Sequence, residues 1–203
     1  MKNYLLSILI LLLAVGTTFA NSIKVGEKLP LIEISDKGLL IPEYDIKEEK
    51  MVYKVDTDIS HKKWTSSELF GRVGVVYHLA ARAGVDDINK PFIDALIAAD
   101  LPEYLPGSPY KTTTILNTDD ALWGTAGIAS GRFEKSQKKT TYAIFVNDCS
   151  GVAQKTWGLK QKESAVIILD NDGSVLYFKE GKLTEEEINK SVNLIQTKLG
   201  ITK

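Results

Sequence analysis

The stretch GRVGVVYHLAARAGV, residues 71–85, decides the fold. Val73 to Leu79 is a short, nearly unbroken apolar run flanked by Gly71 and Gly84. A strand with one wet face alternates apolar and polar residues. A run without alternation needs cover on both faces, as in a parallel sheet held between helices. Downstream, Ile88, Phe92, Ala95, Leu96 and Ala99 recur at helical spacing, and Pro91 sits near the helix start, where its missing N–H costs little. Lys111 to Leu116, rich in threonine and isoleucine, reads as a second strand. A strand–helix–strand unit of this length predicts a right-handed parallel crossover.

Further along, a glycine-rich stretch from Gly124 to Gly131 runs into a basic segment ending near Lys139, where a helix is expected. Tyr142 to Val146 is another short strand. Ala165 to Leu169 and Ser174 to Phe178 flank Asp170-Asn171-Asp172-Gly173, which is turn chemistry and predicts a hairpin. Thr184 and Glu187 form a capping box ahead of a stripe made by Ile188, Val192, Ile195 and Leu199. Upstream, Asn21 to Glu33 reads as an arm leading to a short strand. Gly38 to Ser60, where Met51, Tyr53 and Val55 alternate with polar or smaller residues, reads as a hairpin or a pair of edge strands. The order predicts an α/β three-layer sandwich: a central mixed sheet flanked by helices, with an N-terminal β-hairpin extension over residues 21–70 on a core over residues 71–203. A parallel unit followed by a hairpin and a closing helix is the thioredoxin layout.

The first residues carry an address. Lys2, the apolar run Tyr4 to Val15 and the small-x-small site Thr18-Phe19-Ala20 predict a secretory signal peptide, residues 1–20, cut after Ala20. The apolar run is shorter than the roughly 20 residues a bilayer span requires, so no membrane span is expected after cleavage and the destination is the periplasm. The chain has 25 basic and 26 acidic residues; losing Lys2 leaves 24 against 26, with no basic stripe for a nucleic acid. One cysteine, Cys149, rules out an internal disulfide, so a packed core must supply the stability. A monomer without cofactor is expected. No metal site is expected either. His61 and His78 lack ligand spacing, and the Asp170 turn lacks the further ligands of a calcium loop.

Four segments carry a resemblance to a known family: KVGEKLP at 24–30, GRVGVVYHLAAR at 71–82, TTTILNTDDA at 112–121 and SAVIILDNDGSVLYFKEGKLTEEE at 164–187. In these the chain resembles the YtfJ-type proteins, small periplasmic thioredoxin-like proteins without an established activity. Redox-active members of the fold place Cys-x-x-Cys after the first core strand. By alignment, Arg82 and Val85 stand at the two sulfur positions here, and Ser164 stands where those members carry a cis-proline. Dithiol exchange needs two thiols, and this chain has one. Thioredoxin-like folds also hold extended peptides beside the loop before the third strand by backbone pairing, a recognition that can outlast the cysteines.

Chemistry is expected at the carboxyl ends of the core strands, the edge where open α/β sheets bind ligands. His78 and Arg82 follow the first strand, Asn117, Asp119 and Asp120 follow the second, and Ser164 precedes the third. Arg82 at a helix start suits a carboxylate or phosphate, and Arg82 is expected to meet Asp119. Against this, Asn117 to Asp120 is also ordinary helix-capping chemistry, and His78 also fits a hydrogen-bonded core edge. Cys149, beside the charge of Asp148 and far along the chain from the first helix, is expected to be inert. The leading expectation is a binding or interaction module for a periplasmic protein or peptide. The rivals are a hydrolytic or acid–base enzyme using His78, Arg82 and Asp119, and a single-cysteine peroxidase through Cys149.

Overall fold

The computed structural model describes residues 22–201, so the signal segment expected over 1–20 lies outside the described residues. The chain runs β1 (Glu33–Ile41), β2 (Tyr44–Lys47), β3 (Lys50–Tyr53), β4 (Ser60–Thr65), a 3₁₀ turn (Ser66–Leu69), β5 (Val73–Ala80), α1 (Val85–Ile88), α2 (Lys90–Ala98), β6 (Tyr110–Asn117), α3 (Ala126–Lys139), β7 (Ile144–Asp148), α4 (Val152–Trp157), β8 (Ser164–Leu169), β9 (Val175–Glu180) and α5 (Glu185–Lys198).

Seven strands form one sheet in the order β4-β1-β7-β6-β5-β8-β9, and β2 and β3 pair as a separate hairpin. β5 and β6 are parallel, as are β6 and β7. The carboxyl ends of these three strands therefore share one edge. β8 runs antiparallel to β5, and β9 antiparallel to β8.

Every residue of β5 is buried, as the unbroken apolar run predicts. Val73, Val75, Tyr77 and Leu79 pack with Phe92 and Leu96 of α2, Phe133 of α3, and Ile188 and Ile195 of α5. Val76 belongs to the opposite layer, with Ile115, Val146, Ile167, Trp64 and Trp157 and with Ile23, Leu29 and Ile32 of the N-terminal arm. Trp157 Nε1 ties α4 to that arm by donating to the carbonyl of Pro30 at 2.8 Å. The capping box of α5 is formed: Thr184 Oγ1 accepts from the N–H of Glu187, and the Glu187 carboxylate accepts from the N–H of Thr184.

Three elements depart from the sequence reading. The expected single helix over 88–99 is two, broken at Asn89 (φ −110°, ψ 22°). Pro91 has no N–H to give and its ring clashes with the carbonyl four residues back, so a helix cannot run through it from α1. α4, six residues long, was not expected. The short strand expected after the arm is the nine-residue β1, which pairs with both β4 and β7 and shifts register between Ile34 and Leu39. Gly38 sits in that irregularity at φ 67°, and a methyl group there would drive into the backbone carbonyls of Lys62 and Ile34.

Candidate functional site

The edge where β5, β6 and β7 end is stitched by backbone bonds. The N–H of Ala80 donates to the carbonyl of Glu163 at 3.2 Å, and that of Ala81 to the carbonyl of Asn117 at 3.0 Å. Arg82 follows at once, and its Nη2 donates to Oδ1 of Asp120 at 3.4 Å; the two side chains are 23 % and 10 % exposed. The other oxygen of Asp120 accepts the N–H of Lys162. The expected Arg82–Asp119 pair is thus corrected to Arg82–Asp120. The cause is local. Asn117 Oδ1 accepts the N–H of Asp119 at 3.1 Å, an Asx turn. Asp119 pairs instead with Lys155 Nζ at 2.8 Å, and Lys155 also donates to the carbonyl of Ser150.

His78 is 1 % exposed, and neither ring nitrogen has a hydrogen-bond partner among the described residues. Burial drives its imidazole down to about 4, with the charge of Asp120 pulling the other way. The ring is therefore neutral near pH 7 and sealed from solvent. The hydrogen-bonded core edge expected for His78 does not form.

Ser164 is not part of this group. Side chains alternate across a strand, and β5 and β8 are in register at His78↔Ala165 and Leu79↔Ser164. Ser164 therefore shares a face with Leu79, and His78 lies on the other. Ser164 Oγ accepts from Asn89 Nδ2 at 3.1 Å, and Asn89 also donates to the carbonyl of Gly181 at 2.8 Å and accepts the N–H of Leu183 at 2.9 Å. The six candidate residues thus fall into three groups: His78, Arg82 and Asp120; Asn117 and Asp119 with Lys155; and Ser164 with Asn89. Asn89 escaped the sequence reading. Its signal is an asparagine two residues before Pro91, at a forced helix break.

The loop before β8 has its own N–H groups engaged. Lys160 N–H donates to Oε1 of Glu180 at 2.6 Å, and Lys162 N–H donates to Asp120. Neither of these N–H groups is open to an added strand, and the carbonyl of Glu163 is taken by Ala80. Cys149 is half-buried at the end of β7, with Sγ 3.5 Å from Asn147 Oδ1. Asp148 turns to α4 and accepts the N–H groups of Val152 at 2.9 Å and Ala153 at 2.8 Å. Burial raises its carboxyl above the ordinary value, and these N–H groups work against that rise. Asp148 is the second residue the sequence reading missed in its role: it fastens α4. Among the described residues, no three of His, Cys, Asp and Glu gather as a metal site would require, and no helix is long and apolar enough to cross a membrane.

The sheet order, the crossover after β5 and the closing hairpin and helix define a thioredoxin-like domain, with an Arg–Asp pair just after its first core strand. Two solved structures share the fold. One is described as a thiol:disulfide interchange protein DsbE from Chlorobium tepidum, at TM-score 0.55 and 15 % identity over 88 % of this chain and 100 % of that one. The other is described as a protein disulfide isomerase from Bacteroides thetaiotaomicron, at TM-score 0.53 and 18 % identity over 88 % of this chain and 91 % of that one. Residues 23–198 match the family described as bacterial protein of unknown function (YtfJ_HI0045), and the chain belongs to that family. It is 35 % identical over 177 residues to the uncharacterized protein YtfJ of Escherichia coli (strain K12), covering 87 % of this chain and 88 % of that protein. An uncharacterized protein of Haemophilus influenzae is 30 % identical over 203 residues, the whole of both chains.

Proposed function

We propose that this protein is a periplasmic, redox-inactive binding module, with Arg82 and the charged groups around it as the recognition edge. The observation that carries the reading is the bracing of that edge. Arg82, which alignment sets at a sulfur position of the fold's redox-active members, is held by Asp120, and Asp120 also holds the loop before β8 through Lys162. A thiol relay needs two sulfurs free to meet, whereas this edge has one, Cys149 at the end of β7, and is fastened by charge. The acid–base reading loses its base, because a general base must reach the proton it takes and His78 is enclosed. A peptide strand added beside Lys162 could not use the N–H groups of Lys160 and Lys162, which are engaged. Side-chain recognition by Arg82, Lys155 and Lys160 remains. The signal-like N-terminus supports the compartment.

The test has two arms. In an insulin-reduction assay with dithiothreitol as donor, the protein should give no turbidity beyond dithiothreitol alone; turnover above that background would end the redox-inactive reading. In capture from periplasmic extract, run well below the unfolding transition of either form, a protein or peptide held by the wild type should be lost with Arg82→Ala while circular dichroism shows the variant folded. Equal capture by both would move recognition away from this edge.

A further inference from the structure

The turn after the strand-end edge displays an aromatic side chain that nothing covers. Trp123 is 100 % exposed, and Leu122 and Ile128 beside it are each more than half exposed. This is not a loose loop tip. The N–H of Thr125 donates to the carbonyl of Leu122 at 2.9 Å and its Oγ1 donates to the same carbonyl at 2.8 Å. Gly124 closes the turn at φ 78°, a conformation that needs glycine. The tryptophan is therefore held out into water by a built turn, ready to bind without first being ordered.

The helix that follows supplies charge. Ile128, Arg132, Lys135 and Lys139 recur at intervals of four, three and four residues, so they form one stripe along α3, about 16 Å long at 1.5 Å per residue. All four are exposed. Arg132, Lys135 and Lys139 make no ion pair with a described residue, whereas Glu134, on a different face of the helix, is taken by His61 at 3.4 Å. The stripe is local, because the whole chain carries a formal charge of −1.

We infer that the Leu122–Gly124 turn and the basic stripe of α3 form a peripheral docking surface for an anionic phospholipid bilayer. An aromatic tip beside unpaired cations fits that partner chemistry, the ring entering the headgroup layer and the cations meeting lipid phosphates. Charge separates this from a stable protein interface: two lysines and an arginine lie exposed along one stripe, whereas the core of a protein interface is depleted of charged residues, lysine among them. A bilayer needs only shallow insertion plus charge. Past the far end of α3, where Lys138 lies over the Tyr53 ring, the β2–β3 hairpin and its flanks carry Glu43, Asp45, Glu48 and Glu49 against Lys47, Lys50 and Lys54, so the contact is made at the Trp123 end. The surface does not depend on the Arg82 edge.

Trp123 also reports on the contact. Trp64 and Trp157 are buried, so a change in tryptophan emission on adding vesicles comes from Trp123. Wild type and variants, all carrying the same N-terminus, are titrated with vesicles rich in phosphatidylglycerol and with pure phosphatidylcholine, and followed by emission and co-sedimentation. The expected result is a blue shift and sedimentation with the anionic vesicles, weakening as salt rises. Trp123→Ala should remove the shift. The triple variant Arg132→Glu, Lys135→Glu, Lys139→Glu should weaken sedimentation roughly tenfold or more, with circular dichroism unchanged. The inference is overturned if the wild type ignores phosphatidylglycerol vesicles at low salt. It is equally overturned if both variants still sediment as the wild type does, or if Trp123 captures an acidic protein without any vesicle association.

Discussion

Asp120 and Trp123 stand three residues apart in one loop and have opposite surroundings. Asp120, a carboxylate, is nearly enclosed and serves both Arg82 and the N–H of Lys162. Trp123, the largest apolar side chain, lies entirely in water on a turn closed by Thr125. Burial alone would have placed them the other way round. The inversion separates two jobs within ten residues of chain. The strand ends are locked by charge, and the exposed aromatic side chain is carried outward on a preset turn. If so, substitution in the first region should damage the fold, and substitution in the second should leave it alone.

The largest effect should come from Asp120→Ala. It removes the partner of Arg82, whose Nε is already buried without an acceptor, and it strips the N–H of Lys162. Hydrogen bonds to a charged group are worth about 1.5–3 kcal/mol each, so losing two should cost about 4 kcal/mol of unfolding free energy by urea titration. A loss under about 1 kcal/mol, the ordinary size for a surface change, would mean that the edge is not braced by charge. The contrast with Trp123 would then disappear.

A smaller effect should appear as pH dependence at His78. In the unfolded chain a histidine binds its proton near pH 6.5, and in the folded protein burial lowers His78 to about 4. Between those values the unfolded chain holds more protons than the folded one, so stability falls as the pH falls through that interval. The full loss, up to about 3 kcal/mol at 1.36 kcal/mol per pH unit, is reached below about pH 4. His78→Leu should flatten this part of the stability–pH curve, leaving the decline due to carboxylates such as Glu187, which Lys179 holds down to about 2. An unchanged slope between pH 6.5 and 4 in the variant would show that His78 is hydrated or partnered in solution.

The fold was more legible than the site for reasons visible in single residues. β5, β8 and α5 announce themselves by unbroken apolar runs and a capping box, signals that depend on burial and local bonding alone. α4 has six residues, and its fastening comes from Asp148, four residues before its first turn, so neither length nor cap marks it. Arg82 was placed at the right edge because that needs only the end of β5. Its partner was missed by one residue because the Asx turn at Asn117 decides which of Asp119 and Asp120 faces inward. Ser164, expected in the loop before the third strand beside the other candidates, is the first residue of β8 and faces away from His78; β8 reads Ala-Val-Ile-Ile-Leu after it, apolar on both sides, so the alternation that would reveal the face is silent.

The smallest effect sharpens the comparison most. Trp123→Ala should change unfolding free energy by less than about 0.5 kcal/mol, as for surface substitutions that touch no cap, core or network. Trp123 makes no side-chain hydrogen bond to a described residue, and the turn that carries it is closed by the backbone of Leu122 and by Thr125, which the substitution leaves in place. The side chain is exposed in the folded protein as in the unfolded one, so truncating it should shift neither state against the other. Emission should move the opposite way from stability: the variant should lose the red, quencher-accessible component and keep the blue light of Trp64 and Trp157, both buried. A stability loss above about 1 kcal/mol would mean that the ring packs on the protein, since only contacts or burial give surface positions that much weight. Loss of the red component with stability intact would leave Trp123 as a side chain the fold does not use.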